Sequence, residues 1–271
     1  MYHAEAAPGQ VNSLWFPSYK SRIDTHFQYE VVTGPLAPLE SADALIHTRE
    51  IIVNVVAKYG LRATFAPRIF MDSPGSSTHM HISIHSKDNL KTADQLSPLE
   101  SSFLASVLSH LPALTALTLP IPASYKRMWD GVCSGGTYVN WGTENREAPI
   151  RLSNATSPSS RNFEMRFVDG TSNPYLALAG ILGVGFAGIQ DNAQLTIEDC
   201  RGPMTAAGMT EEARRELGIT QRMSLTWEES RQRLSENQLL RETVLGPELM
   251  DKYLSVNKVR STGHQILFSI F

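Results

Sequence analysis

The segment Asn162-Phe163-Glu164-Met165-Arg166-Phe167 alternates polar and apolar side chains, as a β-strand does when it buries one of its faces. Successive side chains of a strand point to opposite faces, so the glutamate and the arginine lie opposite the phenylalanines and the methionine. The segment His79-Met80-His81-Ile82-Ser83 alternates in the same way, with both histidines and the serine on the polar face. The two segments predict strands that pack on one face and carry chemistry on the other.

Acidic and imidazole side chains in three separate segments predict one shared metal and phosphate site. Glu5 lies near the start of the chain, and His79 and Glu164 lie on the polar faces of the two predicted strands. Carboxylate oxygens suit Mg²⁺ and Mn²⁺, and imidazole is a common metal ligand. Taken singly each signal is weak, because His-x-His is a frequent pattern and a glutamate near an arginine on a strand also fits a salt-bridged surface.

Four arginines lie on or beside the predicted strands, and they are Arg127, Arg146, Arg151 and Arg166. The planar guanidinium group matches the oxygens of carboxylates and phosphates, so these residues are candidate contacts to an anionic ligand. Any one of them taken alone also fits an ordinary surface arginine.

Composition excludes several classes of function. The chain has 271 residues, of which 42% are hydrophobic, enough for one large domain or two small ones. Its net charge of -3 provides no basic field for nucleic acid. Two cysteines make neither a disulfide framework nor a Cys-x-x-Cys metal site. The longest apolar run, Tyr175 to Ile189, is short and interrupted by glycines. We expect a soluble cytoplasmic protein that binds neither nucleic acid nor a membrane.

Periodicity and capping signals predict a mixture of helices and strands, and hence an α/β (α+β) fold. Helices are predicted at 41–59, at 97–110, after Asn173-Pro174, at 226–236 and near 249–259. Strands are predicted at 61–66, 78–85, 138–141, 148–152 and around Glu164. The stretch 111–122 is rich in proline and predicts a surface connector, and the chain ends in the apolar segment 266–271.

Several motifs together resemble the catalytic domain of glutamine synthetase over roughly residues 2–258. They are His3-Ala4-Glu5-Ala6-Ala7-Pro8-Gly9-Gln10, Gly75-Ser76-Ser77-Thr78-His79-Met80-His81, Ser124-Tyr125-Lys126-Arg127, Trp141-Gly142-Thr143-Glu144-Asn145-Arg146, Phe163-Glu164-Met165-Arg166 and Asn173-Pro174-Tyr175. The turn 131–136 resembles the fungal FluG-like branch in particular.

The resemblance implies a fold and an assembly. The fold is a curved antiparallel sheet backed by helices, of the glutamine synthetase and guanido kinase catalytic-domain type. It would span residues 1–260, lack the β-grasp domain that precedes it in the family, and be followed by a divergent apolar tail at 261–271. We also expect a homo-oligomer, because family members usually form rings.

The resemblance further implies an ATP-dependent ligase that joins a glutamate-type carboxylate to ammonia or an amine through an acyl phosphate. Metal ligands for Mg²⁺ or Mn²⁺ would be Glu5, His79 and Glu164. Nucleotide contacts for the co-substrate ATP would be His81, Ser83, Arg146 and Arg151. Contacts to the carboxylic acid substrate would be Gly75, Arg127 and Arg166, and Arg127 and Arg146 would also be catalytic.

Three positions depart from the family pattern. Asn12 stands where a second carboxylate is expected two residues after Gln10, Cys133 stands in place of the catalytic glutamate, and Asn162 replaces a phosphate-binding arginine. A family Glu-x-Glu strand would lie ahead of the first residue. These departures favour an alternative, a degenerate pseudoenzyme or regulatory binding protein. A metal hydrolase that uses His79-x-His81 is less favoured, because the chain shows no alternating strand-helix series.

Overall fold

The computed structural model describes residues 20–24, 28–68, 75–86, 92–93, 95–131 and 135–267. Its strands are β1 (Lys20–Asp24), β2 (Gln28–Val32), β3 (Met80–Ile82), β4 (Trp141–Thr143), β5 (Ile150–Ser153) and β6 (Asn162–Met165). Its helices are α1 (Pro38–Ala57), α2 (Pro98–Thr118), α3 (Pro122–Tyr125), α4 (Pro174–Gln190), α5 (Glu211–Glu216), α6 (Trp227–Glu236) and α7 (Pro247–Leu267), with a short 3-10 turn at Ala206–Gly208 and a π-helical turn at Leu239–Val244.

Four strands form the central sheet in the order β3-β6-β5-β4, and β1 pairs with β2 in a separate two-stranded sheet. Strand β6 is antiparallel to both of its neighbours, whereas β4 runs parallel to β5. The predicted α+β fold, with a sheet backed by helices, is therefore confirmed. The sheet is mixed because β4 runs parallel to β5, whereas the family resemblance implied an antiparallel sheet.

Helix α2 is the centre of the core and is longer than predicted. Its N-terminus has a capping box in which Ser97 and Glu100 satisfy each other's backbone N–H groups. The predicted connector at 111–122 is wrong, because the helix continues through Pro112 to Thr118. Leucines at 111, 114 and 117 are 0–1% exposed, and their burial outweighs the hydrogen bond that a proline removes from a helix.

Helix α2 is also long and apolar enough to cross a membrane by length and composition. However, 78% of its apolar window is buried in the fold, which is the usual situation of a central core helix.

Helix α4 packs against α2 and begins where the sequence predicts. The Asn173 side chain accepts hydrogen bonds from the first turn, and Pro174 occupies the first helical position. A Cβ added at Gly185 would lie 2.1 Å from the ring of Phe103 on α2, so only glycine permits this approach of the two helices. The predicted buried helix rich in small residues is confirmed.

The other predicted helices and strands agree with the structure to different degrees. Helices α1 and α6 lie where they were predicted, and Thr226 caps α6 by accepting from the backbone N–H of Glu229 at 3.1 Å. Helix α7 covers the predicted range 249–259 but continues to Leu267, into the segment predicted as an apolar tail. Residues 61–66 form no named strand. Strand β3 is confined to the middle of the predicted range 78–85, and β4 begins at Trp141, where the predicted strand ends.

Candidate active site

Strand register places three polar residues in one row across the sheet. His81 on β3 and Arg151 on β5 both lie opposite Glu164, which belongs to the central strand β6. On the other face of β6, Phe163 stacks on Phe103 of α2 with ring centroids 6.1 Å apart. The two faces differ as the alternating sequence predicts: one packs on α2 and the other presents polar groups.

The Glu164 carboxylate is 4% exposed and is surrounded by donors. Its Oε1 atom accepts from His79 Nδ1 at 2.9 Å and from the Arg166 guanidinium. Its Oε2 atom accepts from Arg151 Nη1 at 3.1 Å and from Ser153 Oγ at 3.4 Å. Four residues predicted to belong to the site, His79, Arg151, Glu164 and Arg166, therefore converge from three segments, with this carboxylate at their centre.

Charge around Glu164 keeps its carboxylate ionised. Burial by itself would raise the pKa of Glu164, but the hydrogen bond from His79 and the nearby positive charge, including that of Arg166, outweigh burial and hold the pKa well below its ordinary value. The pKa of His79 falls to about 4, because burial and the charges of Arg166 and Arg127 outweigh the effect of the carboxylate. At neutral pH the pair is thus a carboxylate and a neutral imidazole.

Hydrogen bonds define the tautomers of the two histidines. His79 donates from Nδ1 to the carboxylate, so its Nε2 atom accepts from Ser77 Oγ, 2.8 Å away. Asn162 donates its amide Nδ2 to a backbone carbonyl at 2.9 Å, which turns Oδ1 toward His81 Nδ1 at 2.9 Å. His81 is therefore the donor in that contact, and His79 Nε2 is the nitrogen whose lone pair points away from Glu164.

Arg151 is held between two carboxylates. Besides Glu164, its guanidinium contacts Glu144, with Nε 3.0 Å from Oε2. Burial acts to lower the pKa of Arg151, but the two carboxylates reverse the effect and raise it. Glu144 has a positive φ of 51°, and its other oxygen accepts from the backbone N–H of Asn154 at 2.7 Å. Glu144 is a site residue that the sequence reasoning missed, although it stands in the quoted Trp141–Arg146 motif.

Arg127 and the Gly75 segment form a second part of the site. Arg127 is 3% exposed, and its Nη2 atom donates to the carbonyl of Arg166 at 3.2 Å. Burial lowers the pKa of Arg127 to about 10, so the group stays charged at neutral pH. A Cβ added at Gly75 would lie 2.5 Å from Arg127 Cγ and 2.8 Å from the carbonyl of Pro67. Glycine is thus required where this backbone passes the guanidinium group.

Arg146 and Ser83 lie at the edge of this arrangement. The Arg146 side chain is exposed, and its carbonyl accepts from Arg166 Nε at 3.1 Å. Burial and the charges of Arg151 and Arg146 lower the pKa of Arg166, partly offset by Glu164. Ser83 is exposed and bonds to His85. Both predicted nucleotide contacts are consequently on the solvent side of the polar face.

Glu5, Asn12 and Cys133 lie outside the described residues. Within the part of the chain that the structure describes, no cluster of three or more His, Cys, Asp or Glu side chains has metal-binding geometry. The Glu164 carboxylate and the His79 imidazole nevertheless fit Mg²⁺ or Mn²⁺, because a carboxylate oxygen and an imidazole nitrogen are ligands these ions accept, and His79 Nδ1 lies 2.9 Å from Glu164 Oε1. They would provide part of a coordination sphere.

A second carboxylate was missed at the sequence level. Strand β2 begins Gln28-Tyr29-Glu30 and so presents a carboxylate two residues after a glutamine. This is the same spacing that the resemblance assigned to Gln10 and Asn12, and the signal was present in the sequence. Glu30 is partly buried, whereas Asn12 is outside the described residues, so Glu30 is the alternative candidate for this role.

Arg161 does not replace the arginine missing at Asn162. Its side chain is fully buried and pairs with Glu100 of α2, with Nη2 2.6 Å from Oε2. It therefore lies on the packed side of β6, as strand alternation predicts for a neighbour of Asn162.

Fold and site together define a class of protein. An α+β domain carries on its central sheet a buried, ionised carboxylate among an imidazole and several guanidinium groups, an arrangement suited to a divalent cation and to anionic ligands. Residues 19–264 match the family "Glutamine synthetase, catalytic domain". The chain belongs to the glutamine synthetase family.

Similar proteins agree with this assignment. Protein fluG of Emericella nidulans is 38% identical over 260 residues, which cover 96% of this chain and 26% of that protein. Gamma-glutamylpolyamine synthetase GlnA3 of Streptomyces coelicolor is 35% identical over 267 residues, which cover 93% of this chain and 54% of that protein. Among solved structures, a GmaS/ADP complex has a TM-score of 0.75 at 25% identity, covering 94% of this chain and 58% of the other. The chain thus spans only part of the length of the relatives it matches.

Proposed function

We propose that this chain is the catalytic part of an ATP-dependent ligase that joins a glutamate-type carboxylate to ammonia or an amine. The observation that carries the proposal is the buried Glu164 carboxylate, which three cationic or imidazole groups from three segments hold in its ionised form. Relatives that are ligases of the glutamine synthetase type support it.

In the proposed reaction an oxygen of the substrate carboxylate attacks the γ-phosphorus of ATP, and the bond to the bridging oxygen of ADP breaks. The amine nitrogen then attacks the acyl carbon, phosphate leaves, and the nitrogen loses a proton. Bound Mg²⁺ or Mn²⁺ would neutralise charge on the phosphates. Glu164 and His79, whose Nδ1 atom lies beside the carboxylate, would hold the cation, and Arg151 would face the phosphates beside it.

Arginines would position the carboxylic acid. The Arg127 guanidinium donates to the backbone carbonyl of Arg166, which fixes Arg127 against the segment that carries Arg166. Gly75 keeps the adjacent backbone close to Arg127. A preorganised cationic pocket of this kind stabilises charge that develops on a transferring phosphoryl group, because the donors need not reorient during the reaction.

A pseudoenzyme or regulatory binding protein on the same fold is the second candidate. It is favoured by the replacement of the family's catalytic glutamate by Cys133, a residue that does not match a carboxylate in attracting and deprotonating an ammonium ion. Such a protein would retain nucleotide binding but release no phosphate.

Phosphate release decides between the two candidates. The chain would be incubated with ATP, Mn²⁺ and glutamate, with and without an amine, and inorganic phosphate would be measured. A ligase gives release that depends on both glutamate and the amine. Glu164→Ala should abolish it and weaken metal-dependent nucleotide binding, whereas the matched control Glu198→Gln, an exposed carboxylate outside the site, should leave both unchanged. Nucleotide binding that survives Glu164→Ala undiminished would refute the assigned role of Glu164.

The acceptor amine, the assembly and the location belong to the same proposal. One relative is named a gamma-glutamylpolyamine synthetase, so polyamines are to be tested as acceptors beside ammonia. We expect a cytoplasmic homo-oligomer. Light scattering of the purified chain measures its assembly, and a panel of amines in the phosphate assay measures its preference.

A further inference from the structure

A cavity of about 470 Å³ lies on the helical side of the molecule, away from the polar face of the sheet. Helices α2 and α4 form two of its walls, and the segments 193–197 and 218–221 complete it. None of the site residues around Glu164 contributes to its lining. Its volume falls in the range typical of small-molecule sites, so it has room for a compact organic ligand.

The electrostatic character of the cavity is negative. Asp191, the residue that ends α4, is the only Asp, Glu, Lys or Arg among the described residues that line it. The last turn of α4 carries no basic residue, so the negative end of the helix dipole adds to the carboxylate rather than being neutralised. None of the ion pairs found among the described residues includes Asp191. This charge arrangement favours a cation.

Apolar side chains contribute to the lining. Leu108, Val139, Ile197 and Leu239 line the cavity together with hydroxyl and amide side chains such as Ser109, Thr196 and Gln221. His110 also lines it, but burial lowers the pKa of His110, and Asn237 Nδ2 donates to its Nδ1 atom at 2.9 Å. The imidazole is therefore a neutral hydrogen-bonding group and supplies no positive charge that would repel a cation.

We propose that this cavity is a second binding site, separate from the ligase site, for a small alkylammonium ion. The ammonium group would lie at Asp191 and the C-terminal end of α4, and its alkyl chain would lie on Leu108, Ile197 and Leu239. Each half of such a ligand has a matching group in the lining: a carboxylate for the ammonium ion and the side chains of Leu108, Ile197 and Leu239 for the alkyl chain.

One tryptophan reports on the site. The Trp141 indole Nε1 donates to the carbonyl of Ile197 at 2.8 Å, and Ile197 lines the cavity. A ligand that packs on Ile197 alters the surroundings of this indole, so the intrinsic fluorescence of the chain should change as the site fills.

The test uses n-butylammonium as the probe and 1-butanol as its neutral counterpart. Isothermal titration and tryptophan fluorescence would be recorded without ATP or glutamate. The wild-type chain should bind butylammonium and bind butanol more weakly. Asp191→Asn should weaken binding of the ammonium ion by about fivefold, the size expected for one partly exposed charge at a helix terminus. Glu198→Gln removes an exposed carboxylate outside the cavity and should not change binding.

Two more variants complete the test. Ala187→Phe projects a ring into the cavity from α4 and should abolish binding, with thermal unfolding recorded to show that the variant is folded. Glu164→Ala should retain binding, which separates this site from the proposed ligase site. No binding to the wild type, equal binding by Asp191→Asn, or loss of binding in Glu164→Ala would each overturn the proposal.

Discussion

The buried ion pair between Glu100 and Arg161 should contribute strongly to stability, and Glu100→Gln tests it. Both side chains are at most 2% exposed. Glu100 accepts from Arg161 Nη2 at 2.6 Å and from Arg161 Nε at 3.2 Å. Glutamine keeps the shape, but both Glu100 oxygens accept hydrogen bonds, from Arg161 and from the backbone N–H of Ser97. The substitution therefore turns an amide N–H₂ group toward a donor and leaves a buried guanidinium without its counter-charge.

Removing one member of a buried pair costs about 3–5 kcal/mol, and the lower end applies here because Arg161 also donates to the carbonyl of Thr92 at 2.7 Å. With a urea dependence of about 3 kcal/mol per molar, the unfolding midpoint of Glu100→Gln should fall by roughly 1 M. Circular dichroism during urea titration measures the midpoint. In the double variant Glu100→Gln with Arg161→Met, much of the loss should be recovered, because no unpaired charge remains buried.

A matched control shows whether burial is the cause. Glu211 pairs with Arg215 on the surface of α5, where the side chains are 64% and 69% exposed. Glu211→Gln should shift the midpoint by less than about 0.2 M, since exposed pairs contribute about 0.5 kcal/mol or less. Equal shifts for Glu100→Gln and Glu211→Gln would refute the reasoning from burial.

Three further predictions concern the site and the core. Gly75→Ala should lower kcat/KM for the carboxylic acid about tenfold or more in steady-state kinetics, since its Cβ would lie 2.5 Å from Arg127 Cγ. Because burial lowers the pKa of His110, the folded chain binds fewer protons than the unfolded one just below the ordinary value of 6.5. Stability should therefore fall as the pH drops below 6.5, and urea midpoints of His110→Gln should depend less on pH. Glu30→Gln should weaken Mn²⁺ binding in calorimetry if β2 supplies the second carboxylate, whereas Asn12→Glu should tighten it if residue 12 lies at the site.

Strands β3 and β6, which carry site residues, could be predicted from the sequence because the alternation of polar and apolar residues involves only neighbouring positions. A period of two residues puts Glu164 and Phe163 on opposite faces whatever the rest of the chain does. The helix that begins at Asn173 was found for the same reason, since an asparagine cap followed by proline is a feature of adjacent residues.

Features that depend on distant parts of the chain were missed. Pro112 predicts a break when its neighbours alone are considered, but the burial of three leucines across α2 keeps the helix intact. The parallel pairing of β4 with β5 depends on the path of the chain between them. Glu144 reaches Arg151 because its backbone adopts a positive φ, which a sequence pattern does not reveal for a glutamate.

The charge balance of the site bears on the order in which ligands bind. Among the described residues, the charged side chains that interact around Glu164 and Arg127 comprise Arg127, Arg146, Arg151 and Arg166 with four positive charges, and Glu144, Glu164 and Asp169, the last of which interacts with Arg127, with three negative charges. The sum, four minus three, is a net charge of +1 in a chain whose total is -3. A divalent cation that binds without a nucleotide raises this local excess of positive charge. Salt screens the charges of the rest of the protein beyond about 8–10 Å, so they do not offset the excess. A nucleotide that carries the cation with its phosphates removes the excess instead. The site therefore favours the cation and ATP entering together, and Mn²⁺ should bind more tightly in calorimetry with a non-hydrolysable ATP analogue present than without it.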